Sequence, residues 1–237
     1  MVPVFYEQEL IGATLDALHR EMTTPFRALV VYDTEEDPTV SVVRDGAAGW
    51  PHAELLRNDI KRGVLGALRT GLSAATSEYV AVFMADLSDE PQVIDTMVRK
   101  ADEGYDVVSA SRYMKGGSKE GGPWVKTMLS RGAGTSLHML TGVPTHDATN
   151  AFRLYRTSFV QGVKIESDGG FEVTMELTVK AYLEGRPIAE VPTRWRDRTA
   201  GVSKFNFKQW LPKYLRWYFY CLVRSPLGLK ISRRRGR

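Results

Sequence analysis

The chain has 237 residues, of which 43% are hydrophobic and 25% charged, a length and composition typical of one large α/β domain. Cys221 is the single cysteine, which excludes an internal disulfide and favours a reducing, cytoplasmic compartment. No stretch approaches the ~18 consecutive apolar residues that a membrane-spanning helix needs, and no Cys/His spacing of a zinc site occurs.

Charge is distributed unevenly along the chain. From residue 192 to residue 237 there are thirteen Lys and Arg residues against a single acid, Asp197, which gives this segment a surplus of +12. Because the whole chain carries +4, residues 1–191 carry −8. A basic segment attracts anionic lipid, a phosphorylated substrate or nucleic acid, although residues 233–237 are better explained as a solvated terminus.

Strand and helix patterns alternate along the chain, which predicts an α/β fold with a mostly parallel sheet covered by helices on both faces. The predicted strands are 2–5, 26–32, 79–83, 106–110, 152–155 and 188–195. The predicted helices are 9–20, 62–75, 93–103, 124–140 and 171–184, and residues 33–38 and the glycine-rich 114–122 are predicted loops. No linker divides the chain, so we expect one domain over residues 1–206, followed by an amphipathic helix and a basic tail over residues 207–237.

The end of the predicted strand 79–83 is the most informative segment. This apolar run ends in carboxylates, and the ligands of open α/β sheets bind beyond the carboxyl ends of the strands. Asp86, at the tip of the strand, is therefore a candidate ligand for a divalent cation that holds a diphosphate. For Asp89 and Glu90 two interpretations stay open: a role in the same site, or capping of the next helix together with Ser88.

The segment after residue 207 has the pattern of an interfacial helix. At ~100° per residue, one side carries Lys213, Arg216, Tyr220 and Arg224, and the opposite side carries Leu211, Leu215, Tyr218 and Leu222. Basic and apolar stripes with aromatic borders are typical of a helix that lies in a bilayer surface. The alternative is a surface helix whose apolar side packs on the domain, and both interpretations can hold for different faces.

Six short motifs occur in order along the chain. They are residues 2–7 (V-P-V-F-Y-E), 30–33 (V-V-Y-D), 85–89 (A-D-L-S-D), 111–113 (S-R-Y), 147–153 (D-A-T-N-A-F-R) and 197–204 (D-R-T-A-G-V-S-K). Together they resemble the motifs of family 2 glycosyltransferases, which have the Rossmann-like GT-A fold, and among these the dolichol- and polyprenyl-phosphate sugar synthases. The resemblance extends over nearly the whole chain.

This resemblance implies transfer of a sugar from a nucleotide-sugar to a polyprenyl or dolichyl phosphate, with Mg²⁺ or Mn²⁺ as cofactor. GDP-mannose is the favoured donor and UDP-glucose the alternative. The metal is expected on Asp86, Ser88 and Asp89. Recognition of the base and the ribose is expected from Pro3, Val4, Tyr6, Glu7 and Asp33, and steering of the diphosphate from Lys61 or Arg62.

The acceptor phosphate is already anionic near neutral pH, so it needs capture and orientation rather than a strong base. The resemblance assigns this role to Arg112, Arg131 and Arg198, with Lys204 as a further candidate. It also implies direct displacement with inversion at the anomeric carbon, with positioning as the main source of the rate.

Several other polar residues have two interpretations. Asp147 either contacts the sugar hydroxyls or helps to align the acceptor, or it caps a turn before the next strand. His138 and His146 are expected to be structural. Glu172 and Glu176, one helical turn apart, either face the site or are exposed acids on a helix.

Two positions depart from the family pattern. Met84 and Tyr32 stand where the family has aspartates, and a thioether is a poor ligand for Mg²⁺ or Mn²⁺. These departures keep open a non-catalytic relative that binds a nucleotide-sugar, and a transferase with a soluble acceptor is a second alternative. The favoured hypothesis is an enzyme bound peripherally at the inner face of the cell membrane. No nucleic-acid partner is expected, because no recognition module accompanies the basic tail.

Overall fold

The computed structural model describes residues 1–197 and 207–226, without the side chains of residues 207–209. The strands are β1 (Val2–Pro3), β2 (Ala28–Tyr32), β3 (Ala53–Arg57), β4 (Tyr79–Val82), β5 (Val107–Ser111), β6 (Ser118–Glu120), β7 (Arg153–Arg156), β8 (Ile188–Pro192) and β9 (Arg194–Arg196). The helices are α1 (Ile11–Glu21), α2 (Pro38–Asp45), α3 (Val64–Ala74), α4 (Val93–Asp102), α5 (Trp124–Thr141), α6 (Thr157–Gly162), α7 (Glu172–Leu183) and α8 (Phe207–Arg224).

The central strands form two hydrogen-bonded groups that meet at Met1. Strands β1, β2 and β3 are parallel neighbours, and the second group has the order β4-β7-β5-β8. The backbone amide of Phe83 donates to the Met1 carbonyl at 3.0 Å, and the Met1 ammonium donates to the Ala81 carbonyl at 2.6 Å. The order across both groups is therefore β3-β2-β1-β4-β7-β5-β8, and only β7 runs antiparallel to its neighbours.

Helices cover both faces of this sheet, which explains why β2 and β5 are buried along their whole length. On one face the core contains side chains of α1, α2 and α4, with Leu15 and Met97 fully buried. On the other face it contains side chains of α3, α6 and α7, with Leu68 and Leu177 fully buried. The predicted α/β architecture is confirmed.

The C-terminal helix α8 is part of the domain core. Trp217 and Cys221 on α8 are buried in a third apolar cluster with Leu137 of α5 and Val179 of α7. The opposite ridge of α8, which includes Leu215 and three other apolar side chains, is exposed. The helix therefore packs on the domain through the side of Trp217 and Cys221, whereas Leu211 and Leu215 of the predicted apolar side are exposed. Contact of α8 with a bilayer stays a prediction.

Individual elements differ from the prediction in ways that have local causes. Helix α2 and strand β3 were not predicted, although Asp37 caps α2 by accepting the Thr39 amide at 2.9 Å and Pro38 occupies the first turn. The predicted loop 114–122 contains β6, which pairs in parallel with β9. The predicted strand 188–195 is divided at Thr193 into β8 and β9.

Candidate active site

The tips of β1, β2, β4 and β5 meet at one edge of the sheet, as the topology requires. Thr193, just after β8, connects two of these tips directly. Its hydroxyl donates to Asp89 Oδ1 at 3.2 Å, and its backbone amide donates to the Ser111 carbonyl at 3.1 Å. The loop after β4 therefore lies next to the chain segment that begins with Arg112 after β5, although the antiparallel strand β7 separates β4 from β5.

The tip of β1 is held by the first turn of α2. The Tyr6 amide donates to Asp37 Oδ2 and the Glu7 amide donates to Thr39 Oγ1, both at 2.9 Å. Tyr6 has a φ of 56°, an uncommon conformation for a residue other than glycine, and such strain concentrates at functional sites. The Tyr6 side chain is exposed, whereas the predicted donor residues Pro3 and Val4 are buried.

Asp33, at the tip of β2, is buried and fixes the segment that follows β3. Its carboxylate accepts the Asn58 side-chain amide at 2.6 Å and the Gly63 backbone amide at 2.7 Å. Lys61 and Arg62 lie within this segment and are exposed. Asp33 thus shapes the surface that presents the two cations predicted to steer a diphosphate.

The loop after β4 contains the predicted metal ligands. The Ser88 amide donates to Asp86 Oδ1 at 3.1 Å, and Leu87 between them has a φ of 55°. The Ser88 hydroxyl is buried and has no hydrogen-bond partner among the described residues. Asp86 is partly exposed, whereas Asp89 is buried, and desolvation raises the pKa of Asp89 to about 7 although the nearby Arg112 charge opposes the shift.

These residues fit a divalent cation only in part. No group of three or more His, Cys, Asp or Glu residues that could hold a metal exists within residues 1–197 and 207–226. Asp86 could offer a carboxylate, and the Ser88 hydroxyl, which has no hydrogen-bond partner among the described residues, could offer a second oxygen beside it. The raised pKa and the burial of Asp89 make its carboxylate a poorer ligand. A cation held here needs further oxygens from a bound diphosphate and from water.

Arg112, directly after β5, and Asp147 form a buried ion pair near the loop that follows β4. The surface formed by this loop is here called the rim. Arg112 Nε donates to Asp147 Oδ2 at 2.6 Å and Nη2 donates to Oδ1 at 2.9 Å, and the Arg112 backbone amide also donates to Oδ2. Although burial acts in the opposite direction, the charge and hydrogen bonds of Arg112 keep the pKa of Asp147 below its ordinary value. Asp147 is fully buried, and its carboxylate orients the arginine and also accepts the Thr149 hydroxyl two residues on at 3.3 Å.

Of the other predicted acceptor residues, the structure describes only Arg131. Arg131 on α5 is exposed, and its charge acts on Tyr113, whose hydroxyl pairs with Ser130. The guanidinium of Arg112 lies 5.2 Å from the centre of the Tyr113 ring, so the structure brings Arg112 and Arg131 to the same region. Arg198 and Lys204 lie outside the described residues.

Lys119 of β6 is a cation of this region that the sequence analysis missed. Its ammonium donates to Thr127 Oγ1 at 2.8 Å and lies 4.9 Å from the centre of the Trp195 ring. Burial and the charge of Arg112 lower the pKa of Lys119. The sequence carries no clear signal for Lys119, because its position depends on the pairing of residues 118–120 with residues 194–196 and the loop around it is rich in glycine.

The remaining polar candidates are structural. Glu190 binds both the amide and the ring of His146, and the His138 ring lies 4.2 Å from the His146 ring. Glu172 and Glu176 are fully buried, so their interpretation as exposed acids on a helix is wrong. Their carboxylates accept backbone amides of residues 166–170.

Comparison with known proteins identifies the class of this site. Residues 1–163 match the family described as Glycosyl transferase family 2, and the chain therefore belongs to this family of enzymes. It is 26% identical over 226 residues to the polyprenol monophosphomannose synthase of Mycolicibacterium smegmatis, covering 92% of this chain and 85% of that protein. It is also 26% identical to the dolichol-phosphate mannosyltransferase of Pyrococcus furiosus, covering 94% of this chain but only 63% of that protein.

Solved structures confirm the GT-A fold. The glucosyl-3-phosphoglycerate synthase of Mycobacterium tuberculosis, crystallised with Mn²⁺, UDP and glucosyl-3-phosphoglycerate, superposes with a TM-score of 0.67 at 16% identity. The alignment covers 94% of this chain and 77% of that one. The same enzyme has been crystallised with Mg²⁺ and UDP. At this identity the likeness establishes the fold, and the ligands are those of the neighbour.

Proposed function

We propose that this glycosyltransferase moves a hexose, mannose in preference to glucose, from a nucleotide-sugar to a polyprenyl phosphate at the cytoplasmic surface of the membrane. One observation carries the proposal: the carboxylate of Asp86 and the guanidinium of Arg112 both lie close enough to Asp89 for their charges to act on it, and the buried Asp147 holds Arg112 in a fixed orientation. The rim suits a metal-bound leaving diphosphate, and the arginine suits an incoming phosphate. The names of the two mannosyltransferase relatives support mannose and a lipid phosphate.

The donor is placed over the tips of β1, β2 and β4. Phe5 and Tyr6 present exposed aromatic rings 4.9 Å apart at the tip of β1, a surface suited to a nucleoside base. Lys61 and Arg62 approach the diphosphate from the segment that Asp33 holds. A Mg²⁺ or Mn²⁺ ion on Asp86 and the Ser88 hydroxyl would neutralise the charge that develops on the leaving diphosphate.

The acceptor phosphate is placed against Arg112. Two nitrogens of its guanidinium are bonded to Asp147, and Nη1 makes no hydrogen bond to any described residue, which leaves it for an anion. Arg131 and Lys119 add positive charge nearby. A guanidinium that is already fixed loses little side-chain entropy when it binds a phosphate, so the pair favours orientation.

The chemistry follows from this placement. An oxygen of the acceptor phosphate attacks the anomeric carbon and forms the new C–O bond while the bond from that carbon to the donor diphosphate breaks, which inverts the configuration. The phosphate is already ionised, so no side chain has to remove a proton. The role of the protein is to bring the reacting atoms together and to stabilise the charge that moves to the diphosphate.

Two adjacent helices supply the proposed membrane-docking surface. Of the thirteen large hydrophobic side chains that are exposed in the described part of the chain, ten lie on α5 and α8. On α8 they form a ridge at four-residue spacing, which consists of Leu211, Leu215, Phe219 and Val223. Within the described residues no helix is both long and apolar enough to span a bilayer. A surface rich in exposed apolar side chains beside a basic segment suits attachment to anionic lipid.

The first test is a transfer assay with purified protein, Mg²⁺ or Mn²⁺, and a polyprenyl phosphate. GDP-mannose and UDP-glucose are compared as donors, and the product is assigned as retained or inverted at the anomeric carbon. Transfer from GDP-mannose with inversion supports the proposal. Absence of any transfer to a polyprenyl phosphate, with either donor and either metal, contradicts it.

A soluble phosphorylated acceptor is the second candidate, favoured by the fold shared with a glucosyl-3-phosphoglycerate synthase. Deletion of residues 207–237 does not separate the two candidates, because Trp217 and Cys221 of α8 are buried in the domain core. Leu215→Glu with Phe219→Glu changes only the exposed ridge. A matched control is Ala47→Glu with Ala48→Glu, two exposed positions after α2.

The lipid-phosphate proposal predicts that the ridge variant loses sedimentation with phosphatidylglycerol vesicles by about tenfold per side chain, while the control keeps it. Transfer to a long-chain polyprenyl phosphate in those vesicles falls with binding. Equal turnover of the ridge variant and the control on every acceptor favours the soluble-acceptor candidate instead.

A further inference from the structure

The loop on the donor side of the site, residues 58–63, is hydrogen-bonded to helix α3. Asn58 Nδ2 donates to the Lys61 carbonyl at 2.7 Å, and the Thr70 hydroxyl of α3 donates to Asn58 Oδ1 at 3.0 Å. A Cβ added at Gly66 in the first turn of α3 would meet the Lys61 carbonyl oxygen at 1.7 Å. We call residues 58–63 the donor segment. It is packed so tightly on α3 that a shift of this helix moves the segment with it.

Residues 165–170, here called the hub, connect α3 to α8. From α3, Arg69 Nη2 donates to the carbonyls of Ile165 and Ser167, both at 3.0 Å. From α8, Trp217 Nε1 donates to Ser167 Oγ at 2.9 Å, and Lys213 pairs with Asp168 at 3.2 Å. The hub therefore receives direct bonds from both helices.

Glu172 and Glu176 make the hub a stiff connection. Glu172 accepts the amides of Gly169 and Gly170, each at 2.7 Å. At the other end of the hub, Glu176 accepts the amides of Glu166 and Ser167. Charged acceptors make the stronger class of hydrogen bond, and these are buried. A segment fixed along its length transmits a displacement from one side to the other.

The tightest contact of the hub is at Gly170. A Cβ at this position would lie 2.3 Å from the Trp210 ring of α8 and 2.4 Å from the Val64 side chain of α3. Both helices therefore approach the hub backbone within the volume of one methyl group. Val64 directly follows Gly63, whose amide is bonded to Asp33 at 2.7 Å. The path from α8 to the donor segment is thus Trp210, Gly170, Val64 and Gly63.

We propose that Trp210 is a positioning residue for the donor site. Its ring packs α8 against Gly170, and the contact of Gly170 with Val64 in turn fixes the position of the donor segment. The helix that faces the membrane is by this means also a support of the nucleotide-sugar site. The inference rests on the proposed donor site and adds to it a contribution from outside the matched family region, which ends at residue 163.

The test is a double-mutant cycle at Trp210 and Gly170. Trp210→Phe removes the ring edge that approaches Gly170, and Gly170→Ala inserts a methyl group into the occupied space. Each single variant should raise the KM for the donor by roughly 2- to 30-fold, with the KM for the acceptor unchanged. The double variant should raise it by less than the product of the two single effects, because Trp210→Phe relieves one of the two close contacts of the added methyl group. Gly162→Ala, where an added Cβ meets nothing within 4 Å, is the control.

Hydrogen exchange of the protein without ligand provides a readout that needs no activity. The proposal expects faster exchange of the amides of residues 58–64 in both single variants, and an effect in the double variant that is smaller than the sum of the two. Loosening confined to residues 165–170, or equal changes in both KM values, overturns it. If wild-type protein neither binds nor turns over a nucleotide-sugar, the proposed function fails, whereas the exchange result still decides the inference about Trp210.

Discussion

The two sides of the site use buried carboxylates in opposite ways. On the donor side, Asp89 is hydrogen-bonded to the Thr193 hydroxyl, and burial raises its pKa to about 7. On the acceptor side, Asp147 is equally buried, but it accepts a bidentate pair of hydrogen bonds from the Arg112 guanidinium, which keeps the pKa of Asp147 low. Burial disfavours the charged form in both cases, so the difference is made by the partner.

This difference indicates what each side can do. Asp147, whose pKa is lowered, is ionised at neutral pH and keeps the Arg112 guanidinium in place, as the proposed capture of an anionic acceptor requires. On the donor side the carboxylates of Asp33 and Asp37 are buried and accept backbone amides that shape loops, whereas Asp86 accepts the Ser88 amide and is partly exposed. The buried carboxylates Asp33 and Asp37 of the donor side therefore fix loop backbone, whereas Asp147 of the acceptor side fixes the side chain of Arg112.

The largest effect is expected from Asp86→Ala, which removes the rim carboxylate. Transfer should fall on the order of 10²-fold or more, because the leaving diphosphate loses its metal-mediated charge stabilisation. The free energy of unfolding should change little. Activity is measured against Mg²⁺ and Mn²⁺ concentration, with Glu90→Ala, a neighbouring acid on the same loop, as control. Equal losses in the two variants would show that Asp86 has no special role.

Asp147→Asn tests the acceptor side. It leaves Arg112 buried without a counter-charge, and breaking a buried pair in this way costs about 3–5 kcal/mol. Urea unfolding measures the loss, and the KM for the acceptor should rise as the guanidinium loses its orientation. The control is Glu54→Gln, which breaks an exposed pair with Arg27 and should stay within about 0.5 kcal/mol of wild type. A stable variant with a normal acceptor KM would mean that Arg112 keeps its position without Asp147.

A smaller, pH-dependent effect is expected at Asp89. Its folded pKa of about 7 lies above the ordinary value of 3.8, so the folded state binds the proton more tightly. The stabilisation from protonated Asp89 is complete below about pH 4 and is lost as the pH rises through about 7. Relative to wild type, Asp89→Asn should therefore become more stable with rising pH, by at most ~1.4 kcal/mol per pH unit.

Free energies of unfolding of both proteins at about pH 5 and about pH 8, without metal, measure this difference. The same pair of measurements on Glu90→Gln, whose carboxyl is partly exposed, is the control. A difference between Asp89→Asn and wild type that does not change with pH would show that Asp89 titrates normally, and the contrast with Asp147 would disappear.

The sequence predicts the architecture well because the sheet strands are buried and the helices have one apolar side. It misses α2 because Thr39, Val40, Val42 and Val43 are β-branched residues, which favour strands, and only the Asp37 cap and Pro38 indicate a helix. It also misses β3, in which every residue is partly or fully exposed, so the strand lacks the apolar run of β2. Edge strands carry weak patterns for this reason.

For the site, the sequence identifies which residues lie at strand tips but not what they bond to. Asp147 and Arg112 are 35 positions apart, and their pairing depends on β7 lying between β4 and β5. The burial of Glu172 and Glu176 has the same kind of cause, because their partners are backbone amides of a loop. A contact formed through the backbone leaves no side-chain pattern in the sequence.

The position of β7 in the sheet has a consequence for biosynthesis. Strands β4 and β5 are synthesised early but are not neighbours, because the antiparallel strand β7 separates them. Until residue 156 leaves the ribosome, β4 and β5 each have an edge with unpaired backbone groups, which can pair with a strand of another chain. The insertion of β7 closes both edges and at the same time delivers the segment that contains Asp147 to Arg112. A nascent or truncated chain that ends before this point should aggregate, and the joining of β4 to β5 through β7 and the formation of the Arg112–Asp147 pair should be one folding event.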